Sequence, residues 1–299
     1  MTESLRILLT RLIDYAGLFP PASLSMKVSV DNFHEYREGP HAWMLNRFVV
    51  PAARLQEFLR DFELLPKRPH GASPWKLTVI AGADVESDLD YIREFNRVLE
   101  EGAAPAVIES IEIKAADPEA ITHYAGLVPR SFESYFELPR AGGVDGCIAA
   151  LAKVGARAKL RTGGSTAEMY PSCRELAHFL AVCASANVPV KFSAGLHHPI
   201  RSVHSYTYER DSPLGIMHGF LNVFVAAAFA HRGVSVQEVE RILAEESPKT
   251  LEFTQTGVRC DEYSLMNQDL VSARNSFCIS FGSCSFIEPI DGLCGLGLL

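Results

Sequence analysis

Short β-rich runs alternate with helical patterns along almost the whole chain, and this alternation constrains the fold more than any other feature of the sequence. Strands and helices at this spacing indicate parallel strands joined by right-handed crossovers. The candidate strands are Arg11–Tyr15, Asn46–Val50, Lys76–Ala81, Ser110–Lys114, Ser134–Leu138, Arg157–Arg161, Pro189–Ser193 and Phe277–Phe281. Because a closed barrel of this type needs eight strands, we predict an α/β fold, a single (β/α)8 TIM barrel spanning residues 1–299.

Helical patterns fill the gaps between the predicted strands. They cover Val30–Glu38, Ala53–Leu64, Ser87–Glu101, Pro118–Val128, Gly146–Lys153, Ser172–Asn187, Gly215–His231 and Ser235–Glu246. The rhythm breaks after Ser193, where about eighty residues precede the last strand, far more than a normal connection. Long segments after a barrel strand usually cover the active site, so we predict a lid-like excursion over residues 196–275.

Composition and charge exclude several classes of function. The chain has 299 residues, 47% of them hydrophobic, and a net charge of −8, which argues against nucleic-acid and anionic-membrane partners. The seven cysteines form no CxxC pair, and the sequence begins without a basic segment followed by an apolar one. We therefore expect reduced thiols in a cytoplasmic protein, with a small molecule as partner. Whether it forms a homo-oligomer is left open.

Two lysines end neighbouring apolar strands. Because side chains alternate along a strand, Ala158 and Leu160 face one way and Lys159 faces the other; the same alternation separates Lys191 from its apolar neighbours. In a barrel the apolar side packs on the helices and the polar side faces the interior and mouth. An inward lysine beside a second cation loses its proton more readily, and the free amine can form a Schiff base.

The same alternation brings further polar residues to the barrel mouth. They are Glu112 and Lys114 on the fourth strand, Tyr135 and Glu137 on the fifth, Arg161 on the sixth and Ser193 on the seventh. A purely structural network of ion pairs is the alternative, but buried ion pairs stabilise proteins poorly compared with apolar packing. Four cations and two carboxylates in one mouth therefore favour chemistry.

Four segments in order resemble the deoxyribose-phosphate aldolase family of class I aldolases. The family's Lys-x-x-Thr-Gly and its following glycine-rich turn are matched by Lys159-Leu160-Arg161-Thr162-Gly163 and by Gly164 to Glu168. Its Val-Lys-Ala-Ser-Gly-Gly strand is matched by Val190 to Gly195. Its opening Ile-Asp-His-Thr and final Gly-Thr-Ser-Ser are matched by Ile13-Asp14-Tyr15 and by Gly282-Ser283-Cys284-Ser285.

The resemblance implies a barrel lyase acting on a small carbonyl compound. Lys159 would be the Schiff-base lysine and Lys191 the neighbouring cation. Glu137, Glu112 or a histidine of the long loop would carry the proton. The residues expected to bind substrate are Arg161, Gly163, Gly164, Ser193, Gly195, His197, His198, Ser283, Asp14 and Lys114. His197 and Ala194 replace an arginine and a glycine of the family, so the anionic group, phosphate or carboxylate, stays open. No cofactor or metal is expected.

The histidine-rich segment after Ser193 supports two rival interpretations. His197, His204 and His218 with Glu209 or Asp211 would supply ligands for a metal-dependent hydrolase or isomerase, although their spacing is not diagnostic. The second rival is a non-catalytic barrel that binds an anionic metabolite. We expect His197 and His198 to lie within reach of a bound ligand in either the aldolase or the binding protein.

Overall fold

The computed structural model describes residues 1–66, 73–101, 106–140 and 142–299, and these contain eight parallel strands closed into a barrel. Numbered in chain order, the barrel strands are β1 (Ile13–Tyr15), β2 (Leu45–Pro51), β3 (Trp75–Ile80), β4 (Ala106–Lys114), β5 (Glu133–Glu137), β6 (Arg157–Arg161), β7 (Val190–Ser193) and, after five short strands, β13 (Cys278–Ser283). Around the barrel they run β1-β13-β7-β6-β5-β4-β3-β2. The predicted (β/α)8 TIM barrel is therefore confirmed.

Helices surround the barrel and shield its outer face. They are α1 (Glu3–Leu9), α2 (Met26–Glu38), α3 (Leu55–Glu63), α4 (Val85–Glu101), α5 (Pro118–Leu127), α6 (Val144–Val154), α7 (Cys173–Ser185), α8 (Phe220–His231), α9 (Val236–Ala244), α10 (Asn267–Ser276) and α11 (Ile287–Gly295). Asp117 caps the first turn of α5, since its Oδ1 accepts a 2.8 Å bond from Ala120 N. Helices α1, α10 and α11 were not predicted.

Helix α8 is apolar on every side because it is enclosed on every side. All residues from Phe220 to Ala230 are buried, and Phe224 meets Phe192 of β7 with ring centroids 5.5 Å apart. It is therefore a helix of the core. The helix predicted over Gly215–His231 was wrong in its first turn, where Leu214–Met217 forms strand β9 and pairs with β8 (Ser202–Ser205).

The long segment between β7 and β13 divides into two parts. Its first part, with the β8–β9 hairpin, brings Tyr206, Tyr208 and Glu209 to the barrel mouth. Its later part forms an antiparallel sheet of β10 (Leu251–Phe253), β11 (Gly257–Cys260) and β12 (Tyr263–Met266), which contacts α1 through the Ser4 N to Thr254 O bond. Residues 210–275, all of them described, contribute nothing to the lining of the mouth. Of the excursion predicted over residues 196–275, His197 and residues 206–209 line the mouth, and its role as a lid stays a prediction.

Candidate functional site

A cavity of about 920 Å³ opens at the carboxyl ends of the barrel strands. This is the end where barrel enzymes build their active sites, because the loops that follow the strands meet there. Among the predicted site residues, those lining it are Glu112, Lys114, Glu137, Lys159, Arg161, Gly164, Ser193, Gly195 and His197. Lys191, Asp14, Gly163, His198 and Ser283 lie outside this lining.

Lys159 lies at the floor of the cavity with its ammonium held by two carboxylates. Its Nζ is 2.5 Å from Glu112 Oε2 and 2.8 Å from Glu137 Oε2. The side chain is 5% exposed, so the group meets solvent only through the cavity. Strand alternation predicted the inward direction of Lys159 correctly, but its immediate neighbours are carboxylates rather than the second lysine.

Lys191 lies beneath this floor and is 1% exposed. Its Nζ donates to Glu112 Oε1 at 2.6 Å and to Asp14 Oδ2 at 2.6 Å. Burial alone would lower the pKa of Lys191, but the Asp14 and Glu112 carboxylates more than offset it, so the pKa is raised above its ordinary value. Lys191 therefore stays an ammonium at neutral pH, and Lys159 is the lysine that a ligand in the cavity can reach.

Glu112 bridges the two lysines, with one carboxylate oxygen on each. Burial raises its pKa, but Lys159 and Lys191 lower it by a larger amount, so the net pKa of Glu112 is about 2. The carboxylate is therefore anionic at any pH near neutrality and acts as a fixed counter-ion. Glu137 also lines the cavity but is 18% exposed, against 3% for Glu112, and has Lys159 as its one ionic partner among the described residues.

Asp14 anchors the cluster from β1 and is fully buried. Its Oδ2 accepts from Lys191 and, at 2.8 Å, from Ser280 Oγ, while Oδ1 accepts from Asn46 Nδ2 at 2.7 Å. These bonds join both ends of the chain to the barrel floor. Asp14 was predicted to bind substrate, but its position supports Lys191 from below.

Arg161 and Lys114 are exposed residues at the ends of β6 and β4, and both line the cavity. Neither forms an ion pair with any described residue. Ser193, the register partner of Arg161 on β7, also lines the cavity, and its enclosed Oγ has no hydrogen-bond partner in the described part of the chain. The rim of the cavity, formed by Arg161, Lys114 and Ser193, therefore has hydrogen-bond donors without a partner among the described residues. The charged groups of the floor beneath are all paired with one another.

The glycines after β6 and β7 let two loops touch. A Cβ on Gly163 would lie 2.6 Å from the Gly195 Cα, and Gly195 has φ +76°. Thr162 Oγ1 also donates to the Ala194 carbonyl at 2.7 Å. Gly163 was predicted to bind substrate, but its close approach to Gly195 locks the loops together instead.

The loop after β13 is occupied by internal bonds. Ser283 Oγ donates to Ser285 O at 2.6 Å, and in the first turn of α11 Glu288 Oε2 accepts from His197 Nδ1 at 2.7 Å. Tyr208 Oη donates to the same carboxylate at 2.8 Å. Burial raises the pKa of Glu288, but these two bonds lower it by a larger amount, so the net pKa lies below the ordinary value of a glutamate. The hydroxyl of Ser283, a residue that was predicted to bind substrate, therefore already forms a hydrogen bond with Ser285.

Glu288 was missed in the sequence, although the loop after the last barrel strand commonly contributes to the site. The tyrosines of the wall were also missed as lining residues: Tyr170 and Tyr206, with ring centroids 5.1 Å apart, line the cavity beside Tyr208. Tyr206 and Tyr208 belong to an aromatic and basic stretch of the excursion, which is the signal that could have identified them, whereas Tyr170 precedes the excursion.

The other histidines of the excursion are separated. His198 stacks on His204 with centroids 3.3 Å apart, and burial together with His204 and His197 lowers the pKa of His198 to about 4. His218 Nε2 donates to the Pro171 carbonyl at 2.7 Å. Within the described ranges, no group of three or more His, Cys, Asp or Glu side chains is arranged to hold a metal ion. His198 thus lies outside the cavity where we expected it, and His197 lines it.

Comparison with known proteins does not assign the chain to a family. No protein-family model matches the chain, and no curated protein matches it. Among the described residues, no helix has both the length and the apolar character needed to cross a bilayer. All seven cysteines are free. The function is therefore inferred from the site alone.

Proposed function

We propose that this protein is a class I, aldolase-type lyase that forms a Schiff base between Lys159 and a small carbonyl compound. One observation carries the proposal: a buried lysine amine lies at the floor of a barrel-mouth cavity, in contact with one fixed and one accessible carboxylate. Burying four ionisable side chains at the floor, Asp14, Glu112, Lys159 and Lys191, costs stability that apolar packing would not, and chemistry accounts for that arrangement.

Formation of the iminium begins with proton transfer. The Lys159 ammonium gives a proton to Glu137, whose Oε2 lies 2.8 Å away. The amine lone pair then forms the C–N bond, and the carbonyl π electrons move to the oxygen, which takes up a proton. Nζ loses a second proton, and the hydroxyl takes up a proton and leaves as water. The product is a protonated iminium, with Glu112 and Lys191 unchanged beneath it.

Cleavage of the carbon–carbon bond uses the iminium as electron sink. Glu137 accepts the proton of the hydroxyl on the β-carbon, and the electrons of the bond between the α- and β-carbons move to form an enamine. An aldehyde leaves, the α-carbon regains a proton, and water hydrolyses the iminium to free Lys159. None of these steps needs an oxidant or a reductant. The enclosing wall of Tyr170, Tyr206 and Tyr208 limits premature hydrolysis by water.

Borohydride trapping tests this proposal directly. Small aldehydes, ketones and oxo acids are incubated with the protein, reduced, and read by intact mass and peptide mapping. We expect one adduct per chain, on Lys159, and none in Lys159→Met. Lys153→Met, at an exposed residue of α6, is the matched control and retains the adduct. An adduct spread over surface lysines, or a full yield in Lys159→Met, would refute Schiff-base catalysis at this residue.

A further inference from the structure

The two unpaired cations of the rim distinguish this cavity from the paired floor beneath it. Arg161 and Lys114 line the cavity and, among the described residues, have no carboxylate partner. Cations facing a partly enclosed cavity attract an anionic ligand. Arginine is the stronger candidate for a carboxylate, because its planar guanidinium donates two parallel hydrogen bonds to the two oxygens.

The position of Arg161 places that anion near the reacting carbon. Arg161 follows Lys159 by two residues on the same strand and the same face, so their Cα atoms are about 6.6 Å apart. Both side chains start on this face and line the cavity, so a carboxylate bonded to the carbon that Lys159 attacks lies within the reach of the Arg161 guanidinium. This placement suits an anion adjacent to the carbonyl.

A third donor lies beside Arg161. Ser193 is its register partner on β7 and lines the cavity, and its Oγ has no partner in the described residues. Enclosed hydroxyls are nearly always hydrogen-bonded, so this one awaits an acceptor. Arg161 and Ser193 together form one side of a carboxylate subsite above the Lys159 amine.

The adjoining side of the mouth, at the end of β13 next to β7, does not suit a terminal phosphate. The hydroxyl of Ser283 is committed to Ser285, and the nearby first turn of α11 carries the Glu288 carboxylate. Glu288 is anionic and already accepts hydrogen bonds from His197 and Tyr208, so a phosphate there would be repelled.

We propose that the substrate is a 2-oxo acid, with its carboxylate held by Arg161 and Ser193 beside the carbonyl that Lys159 attacks. This inference rests on the proposed function, because it places the carbonyl on Lys159. It excludes a phosphate as the group that the enzyme recognises next to the reacting carbon.

Binding without chemistry tests the carboxylate subsite separately. Oxamate, an unreactive analogue of a 2-oxo acid, is titrated calorimetrically into Lys159→Met, which cannot form a Schiff base. We expect one site per chain, weakened about 10- to 100-fold by adding Arg161→Gln and about 3- to 10-fold by Ser193→Ala. Arg174→Gln, at an exposed position of α7, is the control and leaves affinity unchanged. Equal affinity in the Arg161→Gln protein would overturn the assignment.

Matched carbonyl pairs separate this inference from the proposed function. Pyruvate and acetone differ only by a carboxylate in place of a methyl group, and both can be trapped by borohydride. We expect the wild type to trap pyruvate at least 10-fold faster, and Arg161→Gln to remove this preference. Trapping of acetone at the same rate on Lys159 would refute the 2-oxo acid and leave the lyase intact. No adduct with any carbonyl, despite oxamate binding, would refute the lyase alone.

Discussion

The two ends of the barrel carry similar sets of charged residues that are solvated very differently. At the amino ends of the strands, a lower cavity of about 750 Å³ is lined by Arg47, Lys76, Arg157, Glu109 and Glu133. Glu109 there is 25% exposed and Glu133 32% exposed. At the carboxyl ends Glu112 is 3% exposed and Asp14 fully enclosed. The floor of the upper cavity is thus the drier of the two clusters.

The choice of cation differs as well. Two of the three lower cations are arginines, whose charge is permanent, and each pairs with a glutamate: Arg47 with Glu109 and Glu133, and Arg157 with Glu133. The floor of the upper cavity uses lysines, which can release a proton and act as nucleophiles. Ion pairing at the lower end therefore ties strands together, whereas the upper end encloses the Lys159 amine, which the proposed function makes the nucleophile.

The sharpest test of this contrast compares two glutamates on one strand. Glu137 and Glu133 share the inward face of β5, one at each end of the barrel. If Glu137 carries protons, Glu137→Gln lowers kcat for cleavage of the Lys159 adduct by about 10²- to 10⁴-fold. Glu133→Gln is the matched control and changes kcat less than about 3-fold. Single-turnover kinetics with a trapped-adduct assay separate adduct formation from cleavage.

Equal losses in the two variants would mean that the strand, rather than the upper cavity, determines activity. A Glu137→Gln protein that still cleaved at the wild-type rate would move the proton carrier to another group, with His197 the next candidate because it lines the same cavity.

Replacing one lysine at each end of the barrel shows how much stability is lost when a buried or an exposed ion pair is broken. Lys191→Met leaves Asp14 and Glu112 without a cation they both contact, so we expect a loss of about 3–5 kcal/mol in the free energy of unfolding. Lys76→Met at the lower end removes a pair whose lysine is 32% exposed, and should cost about 0–1 kcal/mol. Urea denaturation measures both.

Adding Asp14→Asn to Lys191→Met should recover part of the lost stability, since it removes an unpaired buried carboxylate. Similar costs for Lys191→Met and Lys76→Met would show that the upper floor is as well solvated as the lower cavity.

Strand alternation predicted the inward faces correctly, because period-two patterns are local. Arg157–Arg161 was predicted with its observed bounds. Partners across the barrel were harder to predict, since they depend on the stagger of strands far apart in sequence: Lys191 and Asp14 are 177 residues apart. The short strands of the excursion were missed for a related reason, although α8 and α9 were predicted. Gly215–Met217 forms a strand because Ser202–Ser205 pairs with it, and no local helical signal records that pairing.

Acid should reduce the stability contributed by the upper cluster more than the stability contributed by the lower one. The pKa of Glu112 is about 2 in the folded protein, below its ordinary 4.5, because the two lysines outweigh the effect of burial. Its stabilising contribution is therefore complete above about pH 5 and is lost as the pH falls toward 2, by about 3 kcal/mol. We expect Glu112→Gln to reduce the difference in unfolding free energy between pH 7 and pH 3 more than Glu109→Gln does.

Urea titrations at both pH values measure that difference. The pKa of Glu109 is also lowered, by Lys76 and Arg47 against the effect of burial, so its variant is a matched control from the lower cavity. An unchanged pH difference in Glu112→Gln would mean that the Glu112 carboxylate is not held in its anionic form by the lysines.

The smallest effect is expected at Tyr135, where the two clusters meet. Lys191 Nζ lies 5.1 Å from its ring centroid, while its hydroxyl accepts from Arg157 Nη1 at 3.1 Å and donates to Glu133 at 3.3 Å. The ring therefore belongs to the upper cluster and the hydroxyl to the lower one. Tyr135→Phe removes only the lower contacts, so it should cost about 1 kcal/mol of stability and leave the trapping rate unchanged.

Tyr135→Leu also removes the ring beneath Lys191 and should cost more, by about 0.5–2 kcal/mol for the lost cation–π contact together with lost packing. Urea denaturation and borohydride trapping of both variants measure the two effects independently. If Tyr135→Phe slowed trapping as much as Tyr135→Leu, the hydroxyl would be coupled to the amine of Lys159. The lower ion pairs would then help set the reactivity of the upper cavity, and the separation of the barrel into a structural and a chemical end would fail.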